Sequence, residues 1–246
     1  MSKPFLIFQL RPEDEAADDE FAAFLRKGAL DSSQVRRIRL DQMPMPNDLN
    51  LQDYAGVIVG GGPGCVSDDP NTKPKIEARI EADILSLMPE ISDNDTPFLG
   101  CCYGIGILGK HLHSDVSKRA YGEPVSAADC TVTETGRLDP ILAKIPEKFS
   151  AFVGHKEALQ ELPDGCEHLI SAPTCPFQMV RYKSNVYATQ FHPEADADGF
   201  STRINIYKHR GYFPPEDADA LIAMCHAADV YAPEVILRNF VQRYAV

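Results

Sequence analysis

Thr96-Pro-Phe-Leu-Gly-Cys-Cys-Tyr-Gly-Ile-Gly-Ile-Leu108 reads as an apolar strand that passes through Gly100-Cys101-Cys102-Tyr103-Gly104 straight into an apolar helix. A side chain held on so sharp a turn is pushed into an unfavourable backbone conformation, so small residues are expected two places on either side of it. Gly100 and Gly104 stand at that spacing around Cys102. The helix that follows would aim its unpaired N-terminal amides and positive dipole end at the sulfur, which favours thiolate over thiol. Cys102 is therefore the candidate nucleophile. Cys101 has the wrong spacing to the glycines and, on a strand, would point to the opposite face, so it is assigned to the core.

Upstream, Pro4 to Leu10 is a short and almost wholly apolar run, as expected of a strand covered on both faces. Glu13 to Gly28 carries Phe21, Phe24 and Leu25 on one side, acidic residues first and Arg26 and Lys27 last, which is helix polarity. Its acidic residues Asp14, Glu15, Asp18, Asp19 and Glu20 read as a solvated helix face rather than a metal site. Val35 to Leu40 alternates basic and apolar residues and reads as a strand near a sheet edge. Tyr54 to Val59 reads as a third strand that opens into Gly60-Gly-Gly-Pro-Gly64. A glycine run after a buried strand lets backbone amides approach a ligand. It lacks the ending of a P-loop and the spacing of a dinucleotide fingerprint, so an amide donor for an oxyanion is preferred over nucleotide binding. Lys75 to Met88 is an amphipathic helix with Ile76, Ile80, Ile84, Leu87 and Met88 on one face, and it returns the chain to the Pro97 to Cys101 strand.

This β-α-β alternation implies a parallel sheet with right-handed crossovers. Beyond the elbow helix, which should end near 110–113, Ala128 to Glu134, Lys148 to Val153, Glu167 to Ala172, Phe177 to Tyr182 and Asn185 to Phe191 read as short strands between turn signals. They suggest antiparallel pairing added to a parallel core. Helices are expected at Asp198 to His209, Glu216 to Ala228 and Pro233 to Tyr244, the last with Val235, Ile236, Phe240, Val241 and Tyr244 on its apolar face. The expected organisation is one α/β domain over residues 1–246, with a motif-bearing core near 5–195 and a helical extension from 198 onward.

The chain of 246 residues has 24 Lys and Arg against 36 Asp and Glu, a formal charge of −12, which argues against nucleic acid or an anionic membrane as a main partner. No run approaches the roughly 18 apolar residues of a membrane span, and the short N-terminal apolar run is not a signal peptide. The seven cysteines are odd in number and lack a paired C-x-x-C framework, so a disulfide scaffold or zinc ribbon is not expected. A reducing cytoplasm fits these features.

A cysteine nucleophile needs a base, and the base needs a group to orient it. His192-Pro193-Glu194 follows the Asn185 to Phe191 strand. Residues two apart on extended backbone point the same way, and Pro193 holds His192 extended, so Glu194 could fix the imidazole tautomer. His155-Lys-Glu157 shares that spacing and ranks second, because Lys156 is an ill-suited residue between the partners of a sulfur-bound acid/base pair. His111, His113, His168, His209 and His226 carry no supporting pattern.

Gly60-Gly-Gly-Pro-Gly64, Gly100-Cys-Cys-Tyr-Gly104 and Phe191-His-Pro-Glu194, in this order and at these separations, together resemble the class I glutamine amidotransferase family over residues 5–195. The resemblance implies a flavodoxin-like, doubly wound and mostly parallel sheet, with the site at the carboxyl ends of its strands. It implies a thiolate attack on the side-chain amide of glutamine, giving a γ-glutamyl thioester and ammonia, with glutamate released by water. By position, Cys102 resembles the nucleophile, His192 the acid/base and Glu194 its orienting partner. The amides of Gly62 and Tyr103 resemble the oxyanion donors, and Gly61, Gly64, Gly106 and His155 would line the substrate. No cofactor or metal is implied.

The family usually carries a substrate-holding glutamine where this chain has Gly106, a loss worth on the order of 1 to 3 kcal/mol of substrate binding. A small residue there would leave room for a bulkier substrate. No synthetase-like second half is present, so the resemblance implies a separate ammonia-acceptor enzyme. Two rivals stay open: a γ-glutamyl peptidase using the same triad on γ-glutamyl compounds, and a non-catalytic binding protein with this fold.

Overall fold

The computed structural model describes residues 3–209 and 213–245. Strand β1 (Phe5–Gln9) is buried along its whole length. Its side chains alternate between two cores, Phe5 and Ile7 on one face of the sheet and Leu6 and Phe8 on the other. Helix α1 (Asp14–Gly28) packs Phe24 into the first of these cores. Its acidic face is only partly solvated: Glu20 is fully buried, against the reading of that run as surface, because Arg11 and Gln9 bond its carboxylate.

Strand β2 (Val35–Arg39) pairs only with β1 and forms an edge, and β3 (Gly56–Val59) lies on the other side of β1. Helix α2 (Lys75–Asp93) is longer than its pattern predicts. The helix runs past the expected end at Met88 and through Pro89, with Ile91 fully buried beyond it, so packing outweighs the hydrogen bond that proline removes. Ile76, expected on the apolar face, is 43% exposed. Strand β4 (Phe98–Cys101) then leads into α3 (Tyr103–His111).

The remaining strands are β5 (Val116–Ser117), β6 (Glu123–Val132), β7 (Lys148–His155), β8 (Ala158–Leu159), β9 (Cys166–Ser171), β10 (Met179–Tyr182) and β11 (Val186–Thr189). Strand β6 begins five residues before the expected start at Ala128 and stops short of Glu134. The small β5–β8 pair escaped the sequence because two-residue strands carry no alternation. The main sheet runs β2-β1-β3-β4-β11-β10-β9-β6-β7. Strands β2, β1, β3, β4 and β11 are parallel, and β10, β9, β6 and β7 continue the sheet antiparallel. The parallel core with an antiparallel flank is the α/β architecture expected from the sequence.

Helices α4 (Ala197–Tyr207), α5 (Ala218–Ala227) and α6 (Ala232–Tyr244) close the chain. Their role, unreadable from sequence, is visible in the packing. Ile236, Leu237, Phe240 and Val241 of α6 lie in the same core as α1, while α2 and α3 cover the opposite sheet face. The Phe240 ring meets Phe5 and Tyr187 at centroid distances of 6.2 and 6.3 Å. Phe240→Ala is expected to cost about 3–5 kcal/mol, read from the urea midpoint at unchanged slope.

Register fixes where the site lies. Val59 of β3 and Ala188 of β11 both pair with Gly100 of β4, so these three neighbours end at one level. The segments leaving them, Gly60 to Gly64, Cys102 and Gln190 to Glu194, therefore converge at the carboxyl edge of a parallel sheet, where ligands of such sheets bind.

Candidate active site

Cys102 sits between β4 and α3 at φ 54°, ψ −84°, a conformation that L side chains rarely adopt. Its amide is tied to the Thr189 carbonyl at 2.7 Å, and its own carbonyl accepts from Ile105 N–H at 3.2 Å. The turn is tight because α3 crosses directly over β4. A Cβ on Gly100 would lie 2.8 Å from the backbone of Gly104, whereas one on Gly104 would meet only Val59 at 3.8 Å. Glycine is thus obligatory at 100 and sterically optional at 104. Cys101 is fully buried in the core shared by α1 and α6, and Cys102 is half-buried.

The sulfur lies where two hollows meet. Gly62 and Gly154 border both. On one side stand Cys65, Tyr103, Lys156, Glu157 and Gln190. On the other stand Arg11, His192, Phe200, Arg203, Ile204 and Tyr207. Tyr103 opens α3, so its N–H is among the helix amides without an intrahelical partner.

His192 Nδ1 donates to Glu194 Oε1 at 2.9 Å, and Arg203 Nη2 donates to the same oxygen at 3.0 Å. Arg203 Nη1 lies 3.3 Å from Nδ1. Because Nδ1 gives its proton to the carboxylate, that approach is a cation contact, and the second ring nitrogen keeps its lone pair. Burial alone would raise the Glu194 carboxyl, but His192 and Arg203 hold it well below the usual carboxylate range. Burial lowers His192 below its ordinary value against the pull of Glu194, and Arg203 and Arg11 add to the lowering.

The expectation of a resting thiolate does not hold. Burial pushes the Cys102 thiol up to about 12, and Arg11, the largest opposing influence, does not cancel it. The helix dipole was legible in the sequence and the desolvation was not. Cys102 raised and His192 lowered both favour a thiol and a neutral imidazole over a thiolate and an imidazolium.

The second histidine motif assembles differently from its spacing. Glu157 does not face the His155 ring, because its carboxylate accepts from Val66 and Ser67 N–H at 2.8 Å each. His155 Nδ1 donates to the Glu157 carbonyl at 2.9 Å and Nε2 faces Glu123 Oε2 at 2.8 Å, so both ring nitrogens are engaged by protein. Glu123 also accepts from Thr174 and Gln178. Among the described residues, Glu123, His155 and Cys175 are the one group of His, Cys and carboxylates close enough to surround a metal, with ligand atoms within 4.8 Å. These hydrogen bonds already occupy both Glu123 oxygens.

Gly106 does not open space for a larger substrate. A Cβ there would lie 3.0 Å from Glu157 Oε1 and 3.1 Å from Val66 Cγ2, so these groups fill the volume a longer side chain would take. Gly106→Gln is expected to destabilise the fold by about 1–3 kcal/mol through overpacking, measured by urea unfolding. In a Glu157→Ala background the same substitution should cost less; a simple sum of the two single effects would show that the positions do not compete.

Three polar residues of the site were not singled out from sequence. Arg11 follows β1 by two residues and lands at the same sheet edge; its Nε donates to Glu20 at 2.9 Å and its Nη1 lies 3.4 Å from the Tyr207 hydroxyl. A Cβ on Gly61 would stand 2.7 Å from Arg11 Nη2 and 2.6 Å from His192 Cε1, so the two side chains meet over that glycine. Gln190, two residues before His192, is buried with Oε1 unpartnered among the described residues. Arg203 comes from α4, outside the segment that carries the motifs. The topology of a parallel sheet could have drawn attention to Arg11 and Gln190; nothing in the sequence marked Arg203.

An elbow cysteine that shares a hollow with a histidine–carboxylate pair is the layout of α/β proteins built for cysteine-nucleophile chemistry. Residues 25–205 match the family described as Glutamine amidotransferase class-I. The chain belongs to that family. It is 26% identical over 168 residues to a glutamine-hydrolyzing GMP synthase subunit of Natronomonas pharaonis, an alignment covering 67% of this chain and 80% of that one. It is 27% identical over 151 residues to the glutamine-hydrolyzing GMP synthase of Staphylococcus carnosus, covering 60% of this chain and 25% of the relative. The chain thus spans about a quarter of the length of the longer GMP synthases it matches. A glutamine amidotransferase of Thermotoga maritima has the same fold, with a TM-score of 0.77 at 18% identity, covering 99% of this chain and 98% of that one. No single helix among the described residues is long and apolar enough to cross a membrane.

Proposed function

We propose that this chain hydrolyses the γ-carboxamide of glutamine through a γ-glutamyl thioester on Cys102. The observation that carries the reading is the strained elbow of Cys102 beside the hydrogen-bonded His192–Glu194 pair at the carboxyl edge of the parallel sheet. His192 takes the thiol proton as the sulfur attacks the amide carbon. The amides of Gly62 and Tyr103 receive the charge that develops on oxygen. The C–N bond then breaks as His192 returns the proton to nitrogen, releasing ammonia, and water activated by the same histidine frees glutamate and restores the thiol. Glu194 holds the imidazole tautomer. The polar hollow takes the γ-glutamyl part, with Gln190 Oε1 as an acceptor and the Gly61 to Gly64 backbone as its wall. His155 shapes that hollow through its bonds to Glu123 and the Glu157 carbonyl rather than by a polar contact of its own.

The ammonia would pass to a separate acceptor protein, a reading supported by the likeness to a GMP synthase subunit described as glutamine-hydrolyzing. The seven cysteines are all free thiols, which suits a reducing cytoplasm. Purified protein incubated with glutamine should release ammonia and glutamate in equal amounts. Ammonia at the rate of a buffer blank would sink the proposal.

The acid/base reading also sets a pH dependence. His192 must be neutral to accept the proton, and its pKa is lowered from 6.5, first by burial and then by Arg203 and Arg11. The neutral form therefore persists below pH 6.5, and kcat/KM is expected to stay level there and fall only at lower pH. An acid limb centred above that value would show that a different group is titrating.

A further inference from the structure

The hollow on the His192 side of Cys102 is larger than the release of ammonia requires. It offers about 60 Å³ of internal space and opens to solvent on one side, and Val125, Phe200, Ile204, Tyr207 and Phe213 give it an apolar lining. A leaving group occupies the side of the nucleophile on which the acid/base stands, because the same imidazole that took the sulfur's proton must deliver it to the departing nitrogen. His192 lines this hollow and is absent from the wall of the polar one. Ammonia is a single heavy atom and gains nothing from an apolar chamber.

The chamber is also provided with donors. Arg203 is 5% exposed, and its Nε has no partner among the described residues, an unusual state for a buried guanidinium N–H. Arg11, also 5% exposed, directs Nε to Glu20 and Nη1 to the Tyr207 hydroxyl, while Nη2 reaches over Gly61 towards His192. Guanidinium N–H groups are suited to a carboxylate.

We infer that this hollow is a leaving-group subsite for an apolar α-amino acid, and that the enzyme cleaves γ-glutamyl amides of such amino acids in preference to glutamine. This rests on the thioester reading above and names the amine that leaves. The apolar side chain lies against Phe200 and Ile204, and the α-carboxylate meets Arg203 and Arg11. Chemically the step is balanced: the sulfur–carbonyl bond forms, the C–N bond breaks, and the nitrogen departs as a free amine carrying the proton that His192 took from Cys102. Water then hydrolyses the thioester to glutamate. The room for a larger substrate is thus across the sulfur from Gly106, where Glu157 and Val66 close the space.

The test compares three substrates on the unmodified protein, with glutamate release followed for each: glutamine, γ-glutamyl-phenylalanine and γ-glutamyl-phenethylamide, which keeps the ring but lacks the carboxylate. The expected result is a kcat/KM for γ-glutamyl-phenylalanine at least about tenfold above glutamine, and a fall of at least about tenfold on removing the carboxylate. Turnover of glutamine with γ-glutamyl-phenylalanine equal or slower overturns the subsite and leaves the amidase reading standing. Equal rates for the phenylalanine and phenethylamide compounds overturn the arginine contact. Turnover of none of the three removes both readings together.

Discussion

Cys102→Ala is expected to fold as the native chain does and to lose turnover entirely, a drop on the order of 10⁶-fold, as for the nucleophile of a triad. The fold survives because alanine keeps the Cβ and hence the same backbone strain, while the backbone bonds that hold the turn, from the Cys102 amide to Thr189 and from Ile105 N–H to the Cys102 carbonyl, do not involve the sulfur. Glycine gives a sharper test of the elbow. At φ 54°, ψ −84° an L residue bears a strain of about 1–3 kcal/mol, which glycine relieves at a cost of roughly 0.5–1 kcal/mol in backbone entropy. Cys102→Gly should therefore be as dead as the alanine variant yet more stable than the native chain. A Cys102→Gly protein that melts earlier than Cys102→Ala would show that the turn stores no strain. Cys101→Ala is the counterpart: it empties a fully buried core position and should cost stability while keeping turnover.

What the sequence disclosed follows the range of the interactions involved. The elbow is local, so the Gly-x-Cys-x-Gly spacing revealed it; the demand at Gly100 is the backbone of Gly104, four residues away. The His192–Glu194 pair is equally local, but the backbone that brings the two side chains together is a turn closed by Ala195 N–H on the His192 carbonyl at 3.2 Å, not the extended run expected beside Pro193. The parallel core was legible from the alternation of strand and helix patterns. Long-range compensation was not. Glu20 reads as one more acid on a solvated helix until Arg11 and Gln9 are seen to bond its carboxylate. Arg11 reaches a hydroxyl 196 residues further along the chain. Gly106 reads as vacant space until Glu157 is found in it. The protonation state of Cys102 failed for the same reason: a dipole belongs to one helix, whereas desolvation is the sum of everything packed around the sulfur.

The second large effect separates the two histidine motifs. His192→Ala is expected to lower kcat by about 10²–10⁴, the usual contribution of a general acid/base, without unfolding the protein. Glu194 then loses one partner but keeps Arg203 at 3.0 Å, so the buried carboxylate is not stranded. Glu194→Gln should cost less in kcat, since the imidazole remains; but the influence of Glu194 on His192 is to raise its pKa, so the acid limb should move lower still. His155→Ala acts elsewhere. It removes the ring that joins Glu123 to the Glu157 carbonyl, so it should cost about 1–3 kcal/mol of stability and raise KM by loosening the polar hollow. Because its nitrogens are both bonded to protein, it has no lone pair to offer a thiol, and kcat should change little. Were His155→Ala to abolish kcat while His192→Ala spared it, the base would lie on the polar side of the sulfur. The leaving group would then have to depart through that side as well, and Cys102 alone of the three catalytic assignments would stand.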